Sequence, residues 1–530
     1  MLTEDEKLAV SKFVTNTDKG IFALRNLPEV VKGALFSRYS RSSKGLREIL
    51  LTEFLQNQGV SVEETQGNED AATKKAEEFY DRVLVEYGDD SVAELGGAHI
   101  ALENVSMIAT KLVEDSRIGL SPLEKSTRYV YFNEKENGRY KYCREPAIMA
   151  SRFARLYEET CDALFEAYSE LLEPMKQHIT KIFPKPPDMS DRAYAFTVRA
   201  KACDILRVFL PASTLTNMGI YGNGRAFEYL LTKLYASRLG EIKGIAAGMH
   251  EELRKVIPSF VKRPDEKHGI EYINYLKETD DGTERAVLSA TKDAHDDEEV
   301  TLVNHDKDGE DKIVAAILYS HSQMPMEQCT GIVKKMGAAE KEKLMDEYTA
   351  RRSNRRHKPG RAFENSYYTF DMLGNFGIYR DLHRHRVLTQ QRQLLTALHG
   401  YDVPAELKEI GAEQIYHELM KKAKEAWSAI VREMPHEAQY VVPFGFRIRW
   451  YFTLNARELY HLTELRTVQQ GHPDYRRICQ KMARLAQGAH PAVFKNMRFV
   501  DFNSYAMERS EAEKRIDRKM EDMDKKYGGS

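Results

Sequence analysis

Val442-Pro443 is followed twelve residues on by Asn455-Ala456-Arg457, and the same interval separates Leu210-Pro211 from Asn223-Gly224-Arg225. An interval kept in both halves of a 530-residue chain reads as an internal duplication. The stretch ahead of it differs in length, from Glu94 to Asn223 in one half and from Glu364 to Asn455 in the other, so one copy has gained or lost a subsegment. Asn455 to Arg466 is read as a helix. At about 100° per residue, Asn455, Leu462 and Arg466 share one stripe, while Arg457 and His461 form an i,i+4 pair on another. Asn455 and Arg466 are then roughly 16 Å apart along the axis, far enough to read one elongated ligand at two points. The same pattern also describes an amphipathic helix whose charges face water.

Upstream lies Asp381-Leu382-His383-Arg384-His385-Arg386. Two guanidinium forks flanking an imidazole suit phosphate or an electron-rich ring edge, although three basic residues in a row also suit a solvated helix end. Phe363-Glu364 and Tyr368-Thr369-Phe370 precede this cluster. In the first half, Ser91 with Glu94 forms a capping box for a helix start, and Ile100 to Leu112 is expected as a helix burying Leu102, Val105, Ala109 and Leu112. Next comes Glu124-Lys125-Ser126-Thr127-Arg128-Tyr129, in which Glu124 and Arg128 have the spacing of a helix-surface ion pair. Residues 262–312 turn strongly charged and read as the connection between two copies. The expected divisions are 1–261, a linker 262–312, 313–507, and a charged terminal helix or tail 508–530.

Length favours two domains. The balance is that of a soluble globular protein, 42% hydrophobic and 30% charged with a formal net charge of -2, which gives no global electrostatic case for nucleic acid or an anionic membrane. Five cysteines without a C-x-x-C pair or zinc spacing read as reduced thiols, and no apolar run approaches a membrane span. A cytoplasmic location is the expectation.

The order of these motifs resembles the flavin-dependent thymidylate synthase (ThyX) family. The resemblance implies an α+β fold of two tandem ThyX-like domains, each a mixed or antiparallel sheet packed with helices, together an intrachain pseudo-dimer. It implies FAD as cofactor, with dUMP, methylenetetrahydrofolate and NADPH as substrates and no metal. Arg384, His385, Arg386, Glu364, Asn455, Arg457, His461, Ser91 and Glu94 fall on flavin-contacting positions. Glu124, Ser126, Thr127, Arg128, Arg207 and Asp381 fall on nucleotide-contacting positions, and Arg466 on the arginine that polarises the uracil, with Arg384 beside it as the second catalytic residue. No cysteine nucleophile is implied.

The departures from the family pattern are informative. In the first half Asp89 stands for a histidine, Ser116-Arg117-Ile118 for the Arg-His-Arg motif, and Leu234 for the late arginine, and Glu114-Asp115 are expected to repel a phosphate. In the second half Leu394 stands for the serine, Gln439 for the arginine before Leu-Pro, and Asp381 for a glutamine. What one half loses the other keeps. The expectation is therefore one composite site and one abolished site, in a chain that pairs as a homodimer to mimic the family's homotetramer. Asp381 keeps open a different pyrimidine nucleotide as substrate, and a silent flavin- or nucleotide-binding paralogue is the alternative from outside catalysis.

Overall fold

The computed structural model describes residues 2–56, 91–290 and 298–527. Asp89 and the segment 62–75, rich in Glu, Asn and Lys, lie outside the described residues. The chain forms two compact units that interleave along the sequence. Unit 1 comprises Met1–Val105, Ala109–Glu124 and Thr216–Asp293, and unit 2 comprises Ser106–Ile108, Lys125–Leu215 and Ala294–Ser530. The contacts thus cut across the first sequence half, and its segment Lys125–Leu215 packs with the second half.

The fold is mixed α and β, with small antiparallel sheets among many helices. The described strands are β1 (Gly97–Ser106), β2 (Leu120–Glu124), β3 (Lys135–Glu136), β4 (Arg139–Tyr140), β5 (Leu215–Asn223), β6 (Val300–His305), β7 (Tyr367–Asn375), β8 (Thr389–Arg392) and β9 (Arg447–Asn455). They pair as β1-β5-β2, β3-β4 and β6-β7-β9-β8. The order β1-β5-β2 in unit 1 is that of β7-β9-β8 in unit 2, where β6 adds one edge. In both central strands alternate side chains are buried, as the period of a pleated strand requires. Thr216, Met218 and Ile220 point inward from β5, and Ile448, Trp450, Phe452 and Leu454 from β9.

Each central strand ends at an asparagine that starts a helix. Asn223 Oδ1 accepts from Ala226 N at 2.8 Å and caps Gly224–Ala236, and Asn455 Oδ1 accepts from Glu458 N at 2.9 Å and caps Ala456–Arg466. A short polar side chain satisfying an orphan first-turn amide is the usual reason for asparagine at this place.

Within unit 2 the chain also meets its own repeat. Ala212 N donates to Val442 O and Phe444 N to Leu210 O, both at 2.9 Å, and Ser213 N donates to Tyr440 O and Gly445 N to Val208 O, both at 3.1 Å. Pro211 lies opposite Pro443 in an antiparallel bridge. Each bond has its image under the offset that carries Asn223 onto Asn455, so the strands cross about a local two-fold at the two prolines.

Three expectations change. Ser91 does not cap a helix: Val92–Glu94 is one 3-10 turn, Gly96-Gly97 ends it, and β1 follows. The segment expected as a helix over Ile100–Leu112 is strand to Ser106 and helix only from Met107 to Glu114, because pairing with β5 outweighs local helical preference. Leu102, Val105 and Ala109 are buried as expected, but Leu112 is half-exposed and Val113 is buried instead. The charged 262–312 stretch contains a helix, Lys267–Ala290, and the edge strand β6. Its acidic residues are matched by a basic partner in unit 1: Arg238 pairs with Asp280 at 2.9 Å, with Asp281 at 2.8 Å and with Glu284. The terminal helix runs from Ser510 to Tyr527.

Candidate functional site

The site in unit 2 is built on the helix that Asn455 caps. From its first turn Glu458 reaches His385, whose Nδ1 is 2.7 Å from Glu458 Oε1, and from its last turn Arg466 Nε donates to His385 Nε2 at 3.0 Å. A guanidinium only donates, so Nε2 is the bare nitrogen and Nδ1 carries the proton given to Glu458. Burial pushes the His385 imidazole down to about 4, with the Arg466 charge adding to the effect and Glu458 opposing it. The ring is therefore neutral at pH 7, as accepting from Arg466 requires. Burial would raise Glu458, but hydrogen bonds from His385 and His461 hold it down at about 2. His461 Nδ1 lies 3.2 Å from Glu458 Oε2, and its ring meets that of His385 edge-on at 5.3 Å.

His385, Glu458 and His461 each offer a ligand atom within 4.8 Å of the others. With the Arg466 cation on the same imidazole, the group is better suited to orienting that arginine than to holding a metal ion. Arg466 is half-buried beside the Tyr475 ring, 6.0 Å away, and its two Nη groups have no hydrogen-bond partner among the described residues.

A second cluster brings in the residues from the first sequence half. Arg128 is clamped by Asp204 through Nε to Oδ1 at 2.7 Å and Nη2 to Oδ2 at 2.6 Å. Burial disfavours the Arg128 charge, yet Asp204 keeps the guanidinium firmly protonated. Arg207 Nη1 donates to Asp381 at 3.2 Å, while its Nη2 is buried with no hydrogen-bond partner. Burial would raise Asp381, but the charges of Arg207, Arg128 and Arg384 hold it far below the usual carboxylate range. Arg380 donates to Thr127 Oγ1 at 3.2 Å. Ser126 is half-exposed, with its Oγ accepting from Arg128 N at 3.2 Å.

The remaining expected residues are placed as follows. Arg384 and Arg386 are exposed. Arg457 holds Glu364 at 3.2 Å and Pro359 O at 2.8 Å. In unit 1, Glu94 accepts from Arg225 at 2.8 Å, the same pairing in the other copy. Glu124 ends β2 in unit 1 and Arg128 sits in a turn of unit 2, so they are not a helical i,i+4 pair. The Glu124 carboxylate is buried on Lys111 Nζ at 3.0 Å and Thr110 Oγ1 at 3.2 Å. Glu114 joins the same buried lysine, which leaves only Asp115 near a ligand surface and removes half of the expected repulsion. Gln439, in the place of an arginine, serves the backbone: Oε1 accepts from Leu395 N at 3.0 Å and Nε2 donates to His436 O at 2.9 Å.

Sequence reasoning missed Glu458, Asp204 and His472. Glu458 stands three residues after Asn455 and three before His461, a helical spacing that could have placed it on the site face. Asp204 stands one helical turn before Arg207. His472 lies with Asp204 and Arg207 on the wall of a polar cavity of about 200 Å³; its Nδ1 accepts from Asp474 N at 3.2 Å, and burial together with the Arg207 charge pushes it down to about 4.

Arg384 and Arg386 are exposed guanidinium forks of the kind that fits a cofactor bearing phosphates. The family model for thymidylate synthase complementing proteins matches residues 45–259 and 301–492. A UPF0159 protein of Chlamydia muridarum is 44% identical over 97% of this chain and 98% of its own, and one of Thermoplasma acidophilum is 35% identical over 91% and 98%. A flavin-dependent thymidylate synthase of Sulfolobus acidocaldarius is 27% identical over 37% of this chain and 75% of its own. Among solved structures, a UMP/dUMP methylase, PolB, of Streptomyces cacaoi aligns with 37% of this chain and 93% of its own at 17% identity and a TM-score of 0.29. With the family model matching both halves, this chain belongs to the thymidylate synthase complementing protein family.

Proposed function

We propose that the chain is a flavin-dependent thymidylate synthase that methylates dUMP with methylenetetrahydrofolate and NADPH, at one composite site in unit 2. The observation that carries this reading is that Arg466, oriented by a neutral His385, and the pair Arg128 and Arg207 from the other sequence half belong to one compact unit. FAD, when bound, would supply the hydride. Arg384, Arg386, Arg457 and Asn455 are the residues to hold it.

The protein's own contribution is electrostatic. Glu458 fixes the His385 tautomer, and His385 fixes Arg466. The Nη groups of Arg466 then face a developing negative charge on the pyrimidine without having to reorganise, which is where preorganised donors act most strongly. Burying the guanidinium beside Tyr475 strengthens that interaction. Arg207 Nη2 and the Ser126 hydroxyl are the donors for the nucleotide phosphate. Arg128 acts through its charge, since its fork is engaged by Asp204.

The test is release of tritium from carbon-5-labelled dUMP by the full chain supplied with FAD, methylenetetrahydrofolate and NADPH. Release that falls by about 10² to 10³-fold in Arg466→Ala, with FAD still bound, is expected for loss of one such donor; full activity in that variant would overturn the assignment. A second reading rests on Asp381. An ionised carboxylate only accepts hydrogen bonds, so it favours a nucleotide presenting an amino or hydroxyl donor there. Turnover of a pyrimidine nucleotide other than dUMP, with none of dUMP, would select that reading.

A further inference from the structure

We infer that unit 1, although it lacks the arginine needed for chemistry, retains a non-catalytic site for a phosphate-bearing nucleotide, in the cavity between the loop 115–119 and the helix Gly224–Ala236. The cavity has a volume of about 480 Å³ and is lined by Glu94, Asp115, Arg117, Arg225, Tyr229 and Lys233 among others. That size falls within the range of small-molecule sites, roughly 300 to 1,000 Å³, and exceeds what a lone phosphate needs.

Three observations point to this ligand class. First, the charge is favourable. Arg117, Arg225 and Lys233 face Glu94 and Asp115; Arg225 and Glu94 neutralise each other at 2.8 Å, and Glu114 is turned away into the buried Lys111 cluster. Lys233 is exposed at the rim and forms no ion pair among the described residues. Second, Tyr229 stands at the wall 43% exposed, an aromatic face on which a base can stack. Third, the frame is preserved. Glu94, Asn223, Arg225 and Tyr229 stand where unit 2 has Glu364, Asn455, Arg457 and His461, with the Glu–Arg pair and the Asn cap intact. The loop comes this close because Gly119 adopts φ +77°; a Cβ there would lie 2.7 Å from Ala226 Cβ. Leu234 at the place of Arg466 and Tyr229 at that of His461 leave no polarising relay, so a nucleotide would be held without being transformed.

The experiment is calorimetric titration of the full chain with ADP, a probe that needs no turnover. A binding component that weakens tenfold or more in Lys233→Glu, survives in Lys233→Arg, weakens as salt is raised, and persists in Arg457→Ala is the expected result. Lys233 is exposed, so its replacement leaves the core intact. No binding, or binding abolished by Arg457→Ala and indifferent to Lys233→Glu, would overturn the inference. Tritium release from dUMP is read independently, so failure here leaves the catalytic reading of unit 2 standing, and failure there leaves this one.

Discussion

The strand–asparagine–helix module occurs twice, and the two copies differ in what the helix carries. In unit 1 the helix after Asn223 presents Arg225, Tyr229 and Leu234; in unit 2 the helix after Asn455 presents Arg457, His461 and Arg466, with Glu458 beneath. The backbone device is the same, down to caps of 2.8 and 2.9 Å. Among the described residues, the relay Arg466 to His385 to Glu458 is found in the second copy alone. On the proposed reading, architecture and chemistry are separable: both copies keep the frame, and the second carries the relay.

The sharpest way to test that separation is stability. Arg128 and Asp204 in unit 2 are both buried and bidentate, whereas Glu94 and Arg225 in unit 1 are partly exposed. Arg128→Ala leaves a buried carboxylate without its partner and is expected to cost about 3–5 kcal/mol. Glu94→Ala should cost about 0.2–1 kcal/mol, the ordinary worth of an exposed pair. Urea unfolding of the two variants checks this. Adding Asp204→Ala to Arg128→Ala should restore part of the loss, because the uncompensated charge goes with it. Equal effects in the two units would mean that the buried pair is not the stabilising feature of the site.

Acid should expose the same asymmetry. His385 and His472 in unit 2 are held neutral, each down at about 4, chiefly by burial. Their unfolded forms take up protons near pH 6.5, so their contribution to stability is full above that pH and is lost as pH falls toward about 4. The expected slope in this window is up to about 1.4 kcal/mol per pH unit for each group. Activity should fall with it, because a protonated His385 cannot accept from Arg466. A denaturation midpoint and a rate both flat from pH 7 to 4 would contradict the tautomer assigned to the relay.

The repeated strand–asparagine–helix module was legible because Pro-to-Asn spacing is local and conformationally demanding, and the structure has Pro211 opposite Pro443. The helix from Ala456 to Arg466 was legible from its period. Neither the β1 strand nor the interleaved units were. A Ser-x-x-Glu pattern is a helix start only if a helix follows, and here Gly96-Gly97 and pairing with β5 decided otherwise. Motif order singled out Arg466, His385, Arg128 and Arg207 as candidates, but not their partners. Asp204, Glu458 and the pairing of Asp381 with Arg207 are long-range choices, set by which carboxylate is buried nearest each guanidinium. The Glu124–Arg128 spacing failed as an ion pair for the same reason: Lys111, hidden on the neighbouring helix, pairs with Glu124.

The smallest expected effect distinguishes the two copies most cleanly, because it begins from identical geometry. Replacing either cap asparagine by alanine removes one acceptor for a first-turn amide and should cost about 1 kcal/mol in both units. Aspartate separates them. In unit 1 the half-buried Asn223 faces Ala226, so Asn223→Asp keeps the cap and adds a negative charge at a helix N-terminus, which is neutral to mildly stabilising. In unit 2 Asn455 is 6% exposed and bonds to the amide of Glu458, itself 6% exposed and ionised to hold His385. Asn455→Asp places a second buried carboxylate against the first, raising the affinity of one of them for a proton. A protonated Glu458 would no longer fix His385, and Arg466 would lose its orientation. The thermal midpoint should therefore hold or rise for Asn223→Asp and drop for Asn455→Asp, with tritium release falling only in the latter. Matching behaviour in the two units would show that the second copy's helix start is no more tied to chemistry than the first's.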